Sequence, residues 1–347
     1  MEPAAAGFGS GRSLAVRDRQ RREGSATLGG MGTQSQSRPA VVVVTGPTAS
    51  GKSERAVELA ERFAGEIVNA DSLQVYRDLD IGTAKPDGDV RARVPHHLFD
   101  VVNPDVKYSA GRYQREAREA AARIHARGGT VFLTGGTGLY IRAFLEGILP
   151  GVEPDPELRR RLEDEHRLAA EAGEPHRLHK RLCELDPEAA RVIHPHDLRR
   201  LVRALELCER GGGPASTLRA AHGFADRPYR VLHLALDPGR EVLDRRINAR
   251  CQRMIDDGLL HEVRGLRRLG YGPELRPMQA IGYRHMHAVV DGADTLVNAL
   301  AAMQRDTRRF SRRQRTWLRS VREAVWIDPS DTETLTKTTE AFLCAAA

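Results

Sequence analysis

The sequence predicts an α/β protein: a doubly wound parallel sheet interrupted by a helical insertion. Three observations carry this. Val41–Val44 is a run of four β-branched residues, followed at once by a glycine-rich turn and a helix-forming stretch. Further short apolar strands then alternate with helical stretches, the pattern of successive βαβ units. Between residues 151 and 229 the β-branched runs stop, and Arg, Glu, Leu and Ala take over.

Four consecutive valines suit a strand buried on both faces, as at the centre of a parallel sheet. Ser53–Arg62 reads as the first helix and Glu66–Ala70 as the second strand. Tyr113–Arg127 sets alanines and Ile124 at helical spacing and stops at Gly128-Gly129, a good helix terminator. Thr130–Thr134 is a third strand, running into Gly135-Gly136-Thr137-Gly138. Residues 151–229 read as several short helices. Val231–Leu236 is a strand again, followed by a long helical stretch to about Leu269. Asp294–Arg322 is helical and basic, and Ala324–Asp328 is a last strand. The expected organisation is an extension over residues 1–38, a core over 39–150 and 230–330, and a helical insertion over 151–229.

Composition narrows the function classes. The chain has 347 residues and a formal charge of +7, from 54 Lys+Arg against 47 Asp+Glu. The longest strongly apolar run, Ala40–Val44, is far short of the ~20 residues a membrane helix needs. Cys183, Cys208, Cys251 and Cys344 are widely spaced with no CxxC, which excludes a disulfide-stapled domain and a sequence-local zinc knuckle. Residues 1–38 are rich in Gly, Ser, Ala and Arg without an apolar segment. They read as a disordered extension rather than a secretory signal, with Met31 as an alternative start. A cytoplasmic protein without membrane contact is expected, with a monomer as the working state.

Gly46-Pro47-Thr48-Ala49-Ser50-Gly51-Lys52-Ser53 fits G-x-x-x-x-G-K-[ST] without a mismatch, between a strand and a helix. The glycines let backbone N–H groups turn around an anion, and the helix N-terminus adds its positive dipole end. Lys52 neutralises phosphate oxygens, and Ser53 is placed to ligate Mg²⁺. Such a P-loop specifies a polyphosphate without saying which. No acid ends the Val131–Leu133 strand, but Val231–Leu236 runs into Asp237, an element of many NTPases. Asp71 follows the second strand, on the edge where open α/β sheets bind ligands. It suits a base, an outer-sphere metal partner or a helix cap. Thr137, in the next strand's loop, suits a phosphate donor or a plain turn residue.

His96-His97 in extended chain point to opposite faces, against a shared metal. His194-Pro195-His196 reads as a helix-entry turn. Arg199-Arg200-Leu201-Val202-Arg203 and the tail's Arg308, Arg309, Arg312, Arg313, Arg315 and Arg319 concentrate positive charge, with no acid in 307–319. Phe310 and Trp317 sit among the tail arginines. A solvated face is the ordinary reading of such runs. Phosphate-backbone contact with an aromatic platform suits this pattern better.

Together these residues resemble the tRNA dimethylallyltransferases. The resemblance rests on Gly46–Ser53, on Asp71-Ser72-Leu73-Gln74 followed by Tyr76, and on Asp80-Ile81-Gly82-Thr83-Ala84-Lys85-Pro86. It rests also on Gly135–Tyr140 and on Arg313-Gln314-Arg315-Thr316-Trp317-Leu318-Arg319. These motifs run in order between about residues 40 and 328. The resemblance implies dimethylallyl transfer from dimethylallyl diphosphate to N6 of adenine 37 in the tRNA anticodon stem-loop, with the P-loop holding the prenyl diphosphate. It implies Asp71 as the carboxylate taking the N6 proton and Thr137 as the threonine near the bridging oxygen. It implies tRNA contacts at Asp71–Gln74, Thr137, Arg159, Arg199–Arg203, Arg312–Arg315, Trp317 and Arg319. Arg246 or Arg250 matches the arginine that holds the diphosphate, and spacing does not choose between them. The competing readings are a P-loop small-molecule kinase and an RNA-binding NTPase with Asp237 as its acid.

Overall fold

The computed structural model describes residues 38–149, 153–223 and 226–345. The expected extension over residues 1–38 lies outside them, Arg38 apart. The elements are β1 (Ala40–Thr45), α1 (Lys52–Arg62), β2 (Gly65–Asn69), α2 (Gly88–Arg93), β3 (His96–His97), α3 (Ala110–Ala126), β4 (Thr130–Gly135) and α4 (Gly138–Glu146). Five helices follow: α5 (Pro156–Glu171), α6 (Arg177–Leu185), α7 (Pro187–Val192), α8 (Leu198–Arg210) and α9 (Ala215–His222). The chain then returns through β5 (Arg230–Leu236), α10 (Arg240–Asp256), α11 (Leu259–Arg268), a 3-10 turn at Arg276–Gln279, α12 (Tyr283–Val290), α13 (Leu296–Arg319), β6 (Ala324–Ile327) and α14 (Thr332–Cys344).

The six strands form one sheet in the order β3-β2-β4-β1-β5-β6. Every pairing is parallel. The valines of β1 explain its central place. Successive side chains alternate faces, so Val41 and Val43 enter one apolar layer while Val42 and Val44 enter the other. The first layer packs under α3, α4, α10 and α12, and the second under α1 and α14. The helices α5–α9 carry an apolar cluster of their own, built on Leu158, Leu162, Leu178, Leu182, Ile193 and Leu205.

The departures from expectation have local causes. The long helix expected up to Leu269 breaks into α10 and α11 at Gly258, whose φ of 99° lies in the left-handed region. The third helix starts at Ala110 because Ser109 caps it, its hydroxyl accepting from the Arg112 amide at 3.1 Å. Helix α4 hid behind the glycines that open it. The two-residue strand β3 was hidden in the His-His pair, which joins the sheet edge beside Ile67 and Val68. The His97 ring meets Glu66 at 2.6 Å and the His96 ring meets the Val94 carbonyl at 2.8 Å.

Beneath the P-loop strand lies a buried polar pair. The Thr45 hydroxyl donates to the Leu234 carbonyl at 3.1 Å and sits 2.8 Å from His233 Nε2. The ring therefore donates from Nε2 and holds Nδ1 unprotonated. Burial pushes the His233 imidazolium down to about 4. A histidine buried neutral stabilises the fold fully above its unfolded pKa of ~6.5, and that contribution fades as pH falls toward 4. The thermal midpoint of wild type should fall between pH 6.5 and 4 more steeply than that of His233→Gln. Parallel curves in differential scanning fluorimetry would contradict this assignment.

Candidate active site

The P-loop leaves β1 and wraps back to α1. Gly51 adopts φ 91° just before the helix, a conformation that L side chains rarely take. The Ser50 amide closes a turn on the Pro47 carbonyl at 3.1 Å, and the Thr48 amide is held by Gln314 Oε1 at 2.8 Å. Among the described residues, no protein acceptor takes the amides of Ala49, Gly51, Lys52 or Ser53. The cradle expected of Gly46–Ser53 is thus narrower than the motif suggests. It consists of four closely spaced loop donors at the positive end of α1.

Lys52 reaches only the Pro47 carbonyl, at 3.4 Å. Burial and the neighbouring Arg250 lower its ammonium to about 8, against a raising effect of Asp71. It has no carboxylate ion-pair partner among the described residues. The exposed Ser53 hydroxyl likewise has no protein hydrogen bond among the described residues. A hard cation such as Mg²⁺ prefers a few protein oxygens supplemented by phosphate and water. Ser53 supplies one such oxygen, and Asp71 lies close enough to act on the adjacent Lys52, which fits that donor set.

Two neighbouring loops complete the edge. Asp71 Oδ1 accepts from the Leu73 amide at 2.9 Å, and the Asp71 amide donates to Asn69 Oδ1 at 2.9 Å. One oxygen of Asp71 thus closes a turn and not a helix, since among the described residues no helix starts between β2 and α2. Its second oxygen has no protein donor among the described residues. The Thr137 amide donates to the Ala70 carbonyl at 3.1 Å, and its hydroxyl accepts from the Ser72 amide at 3.0 Å. Thr137 thereby ties the β4–α4 loop to the β2 loop, at the carboxyl ends of adjacent strands. The Gln74 amide donates to the Thr83 and Ala84 carbonyls, both at 3.2 Å.

Helix α10 brings both arginine candidates. Arg246 approaches Gly51, with Nη1 3.9 Å from where a Cβ would stand there. Arg250, one turn on, donates Nη2 to the Thr83 carbonyl at 3.3 Å and acts on both Lys52 and Asp71. The spacing that could not separate them sets both on the face toward the cradle, with Arg250 next to the lysine.

Helix α13 corrects the reading of the tail. Gln314 is buried. Its Oε1 accepts from the Thr48 amide and hydroxyl, and its Nε2 donates to the Gly136 carbonyl at 3.1 Å. Arg315 Nε donates to Asp237 Oδ2 at 2.8 Å, while Asp237 Oδ1 takes the Gly239 amide at 3.0 Å. Both oxygens of Asp237 are thus engaged, which removes it as an NTPase acid. Trp317 covers Gly138 so closely that a Cβ there would fall 2.3 Å from the indole. Gln314 and Arg315 were expected at tRNA and are instead struts between α13 and the loops. The stretch lacks acids of its own because its partners lie elsewhere in the chain. Arg312, Arg313 and Arg319 remain exposed, with Arg313 over the Phe310 ring at 5.8 Å.

The second basic stretch divides similarly. Leu201 and Val202 lie inside the α5–α9 cluster, so their side chains offer RNA nothing, contrary to expectation. Arg159 grips the fully buried Glu206 through two hydrogen bonds, at 2.8 and 2.6 Å, and Arg203 adds a third at 2.5 Å. Burial pushes the Glu206 carboxyl up, and these bonds outweigh it and hold it below its usual range. Arg199 and Arg200 stay exposed at the start of α8. Arg276, which the sequence did not single out, stands near Arg199 and Tyr140: together with burial it lowers the Arg199 guanidinium.

A P-loop α/β enzyme with a cationic cradle and a flanking carboxylate is the class this edge defines. The chain belongs to the IPP transferase family, which it matches over residues 74–321, with an isopentenyl transferase match over residues 39–92. It is 49% identical to tRNA dimethylallyltransferase 2 of Geotalea uraniireducens, across 83% of this chain and 92% of that one. It is 47% identical to the tRNA dimethylallyltransferase of Desulfatibacillum aliphaticivorans, across 88% and 99%. The crystal structure of the tRNA isopentenylpyrophosphate transferase of Bacillus halodurans superimposes with a TM-score of 0.65 at 34% identity, covering 89% of this chain and 98% of that one. A eukaryotic dimethylallyltransferase acting on tRNA superimposes with a TM-score of 0.70 at 26% identity, covering 87% and 77%.

Two outcomes follow from this geometry. A bound anion stabilises charged Lys52, so pyrophosphate affinity should be full below pH 8 and weaken as pH rises through 8 and beyond. Lys52→Arg, which stays charged, should flatten that limb in a calorimetric titration from pH 7 to 10. An equally steep limb in the variant would assign the titration to another group. Arg315→Ala should lower the thermal midpoint along with activity, because it strands the half-buried Asp237. An unchanged melting curve would restore Arg315 to the solvated face.

Proposed function

We propose that this protein transfers a dimethylallyl group from dimethylallyl diphosphate to N6 of adenine 37, beside the anticodon of certain tRNAs, giving N6-dimethylallyladenosine. The observation that carries the reading is one sheet edge with four unpaired cradle amides, Lys52 and Arg250 bonded only to carbonyls, and an Asp71 oxygen without a donor, all among the described residues. A kinase or NTPase would use the same cradle and could employ the same carboxylate as base or metal partner. The family relatives support the transferase.

An adenine amine is a poor nucleophile because its lone pair is delocalised into the ring. The allylic carbon compensates by ionising readily as diphosphate departs. The C–O bond to the diphosphate breaks and its electron pair leaves with that group. The N6–C bond forms, and the N6 proton passes to Asp71. Lys52, Arg250 and Arg246 stabilise the departing charge, and the cradle amides hold it without reorganising. The Thr137 hydroxyl, which donates to Ser72 Oγ at 3.3 Å here, would turn that proton toward the bridging oxygen. Leu73 fixes one oxygen of Asp71, which orients the other for the proton. Ser53 would hold Mg²⁺, which would add screening of the leaving group's charge.

The target base must leave its stack, which requires a clamp on the flanking strand. Arg199, Arg200, Arg312, Arg313 and Arg319 are the exposed candidates for that clamp. Among the described residues no helix is long and apolar enough to cross a membrane. Action on tRNA in the cytoplasm accords with that.

Incubation with dimethylallyl diphosphate and tRNA should add a five-carbon group to the nucleoside beside the anticodon, seen by mass spectrometry of the digest. Phosphate transfer to a small molecule, or nucleotide hydrolysis without that adduct, would overturn the assignment. Asp71→Asn should lower kcat by ~10²–10⁴, the range for losing a positioned acid–base group. Turnover near wild type with both substrates saturating would reduce Asp71 to holding the turn at Leu73. Removing Arg312, Arg313 and Arg319 together should raise the KM for tRNA and flatten its salt dependence by about one slope unit for each arginine removed. The KM for dimethylallyl diphosphate should stay put. A fall in affinity with no change in salt dependence would point away from phosphates.

A further inference from the structure

One carboxylate outside the cradle is fully engaged with backbone that leads straight to it. Glu262, in the first turn of α11, accepts four hydrogen bonds, two on each oxygen. Oε2 takes the amides of Asp80 and Ile81, at 3.1 and 2.7 Å. Oε1 takes the Gly82 amide at 3.2 Å and the Tyr283 hydroxyl at 2.7 Å. Three consecutive amides around one carboxylate fix the orientation of a turn more tightly than any single cap. Tyr283 is buried against Gly82, where a Cβ would fall 2.5 Å from its ring, so the turn has no room to shift.

The next residue exports this order. The Thr83 carbonyl accepts from Arg250 Nη2 at 3.3 Å and from Gln74 Nε2 at 3.2 Å. It is the one protein acceptor holding Arg250 among the described residues. The remaining donors of that guanidinium are therefore available to an anion, and their direction depends on where Thr83 holds the group. Arginine recognises a phosphate through a planar fork, so a small rotation of the plane forfeits one of two parallel bonds.

We infer that Glu262 is a positioning residue for the diphosphate: it sets the Asp80–Gly82 turn and, through the Thr83 carbonyl, aims Arg250 into the cradle. This rests on the reading of Arg250 as a diphosphate ligand. The role differs from general structural support because it acts on one substrate through one side chain.

The test is a double-mutant cycle on the full-length protein, read by calorimetric affinity for inorganic pyrophosphate and by the KM of each substrate. Glu262→Gln puts an amide where the turn needs an acceptor. It should weaken pyrophosphate binding about ten- to hundred-fold, the range for hydrogen bonds to a charged group. The KM for dimethylallyl diphosphate should rise in step and the KM for tRNA should not. In an Arg250→Ala background Glu262→Gln should add nothing further. Tyr283→Phe, which keeps the three amide bonds, should give a few-fold effect with the same dependence on Arg250, and it carries the cycle if Glu262→Gln does not fold. Equal weakening by Glu262→Gln or Tyr283→Phe with and without Arg250 would overturn the inference while leaving Arg250 its role. Unchanged pyrophosphate affinity in Arg250→Ala would overturn the reading of Arg250 and the inference together.

Discussion

The carboxamide of Gln314 joins three parts of this molecule at one point. It accepts from the Thr48 amide in the P-loop and donates to the Gly136 carbonyl in the β4–α4 loop, while its own backbone belongs to α13. A carboxamide suits this place because it offers an acceptor and donors at fixed separation. A carboxylate would meet the Gly136 carbonyl without a proton to give, and a shorter side chain would reach neither loop. A Cβ at Gly136 would fall 2.3 Å from the Gln314 nitrogen, so a larger residue there would displace the carboxamide. Helix α13 is thereby coupled to the anion cradle on one side of its last turns and presents Arg312, Arg313 and Arg319 outward on the other.

The cradle itself is an arrangement of excess positive charge. Four amides, the dipole of α1, Lys52, Arg246 and Arg250 gather here, with Asp71 acting on Lys52 and Arg250 and Asp328 on Arg246. Their mutual repulsion is visible in Lys52, which burial and Arg250 push down to about 8. Such a site is organised before the ligand arrives, so charge leaving the substrate meets fixed dipoles rather than water that must reorient. The acidic partners elsewhere show the contrast. Glu206 is surrounded by Arg159 and Arg203, and Asp237 by Arg315, and both pairs hold elements together.

Much of this was legible in the sequence because the signals are local. Four valines and a glycine-rich phosphate motif dictate a central strand and the loop after it, and strand–helix alternation dictates the parallel sheet. Asp71 and Thr137 were findable because they follow strands whose carboxyl ends face one edge. What sequence could not show is partnership over long separations. Arg315 read as a tRNA contact because its acid, Asp237, lies 78 positions away. Arg159 looked free for RNA because Glu206 is 47 positions away. Leu201 and Val202 sit within a basic run, and only the helical face they occupy reveals that they are core. Glu262 gave no motif at all, since its ligands are backbone amides of a distant turn.

The coupling through Gln314 is the claim most directly open to measurement. Gln314→Ala should be assayed by calorimetry for inorganic pyrophosphate and, separately, for tRNA. If the carboxamide holds the P-loop in shape, pyrophosphate affinity drops about ten-fold or more in the absence of any tRNA. If pyrophosphate binds as in wild type and only tRNA affinity falls, Gln314 is an RNA contact and α13 does not organise the cradle.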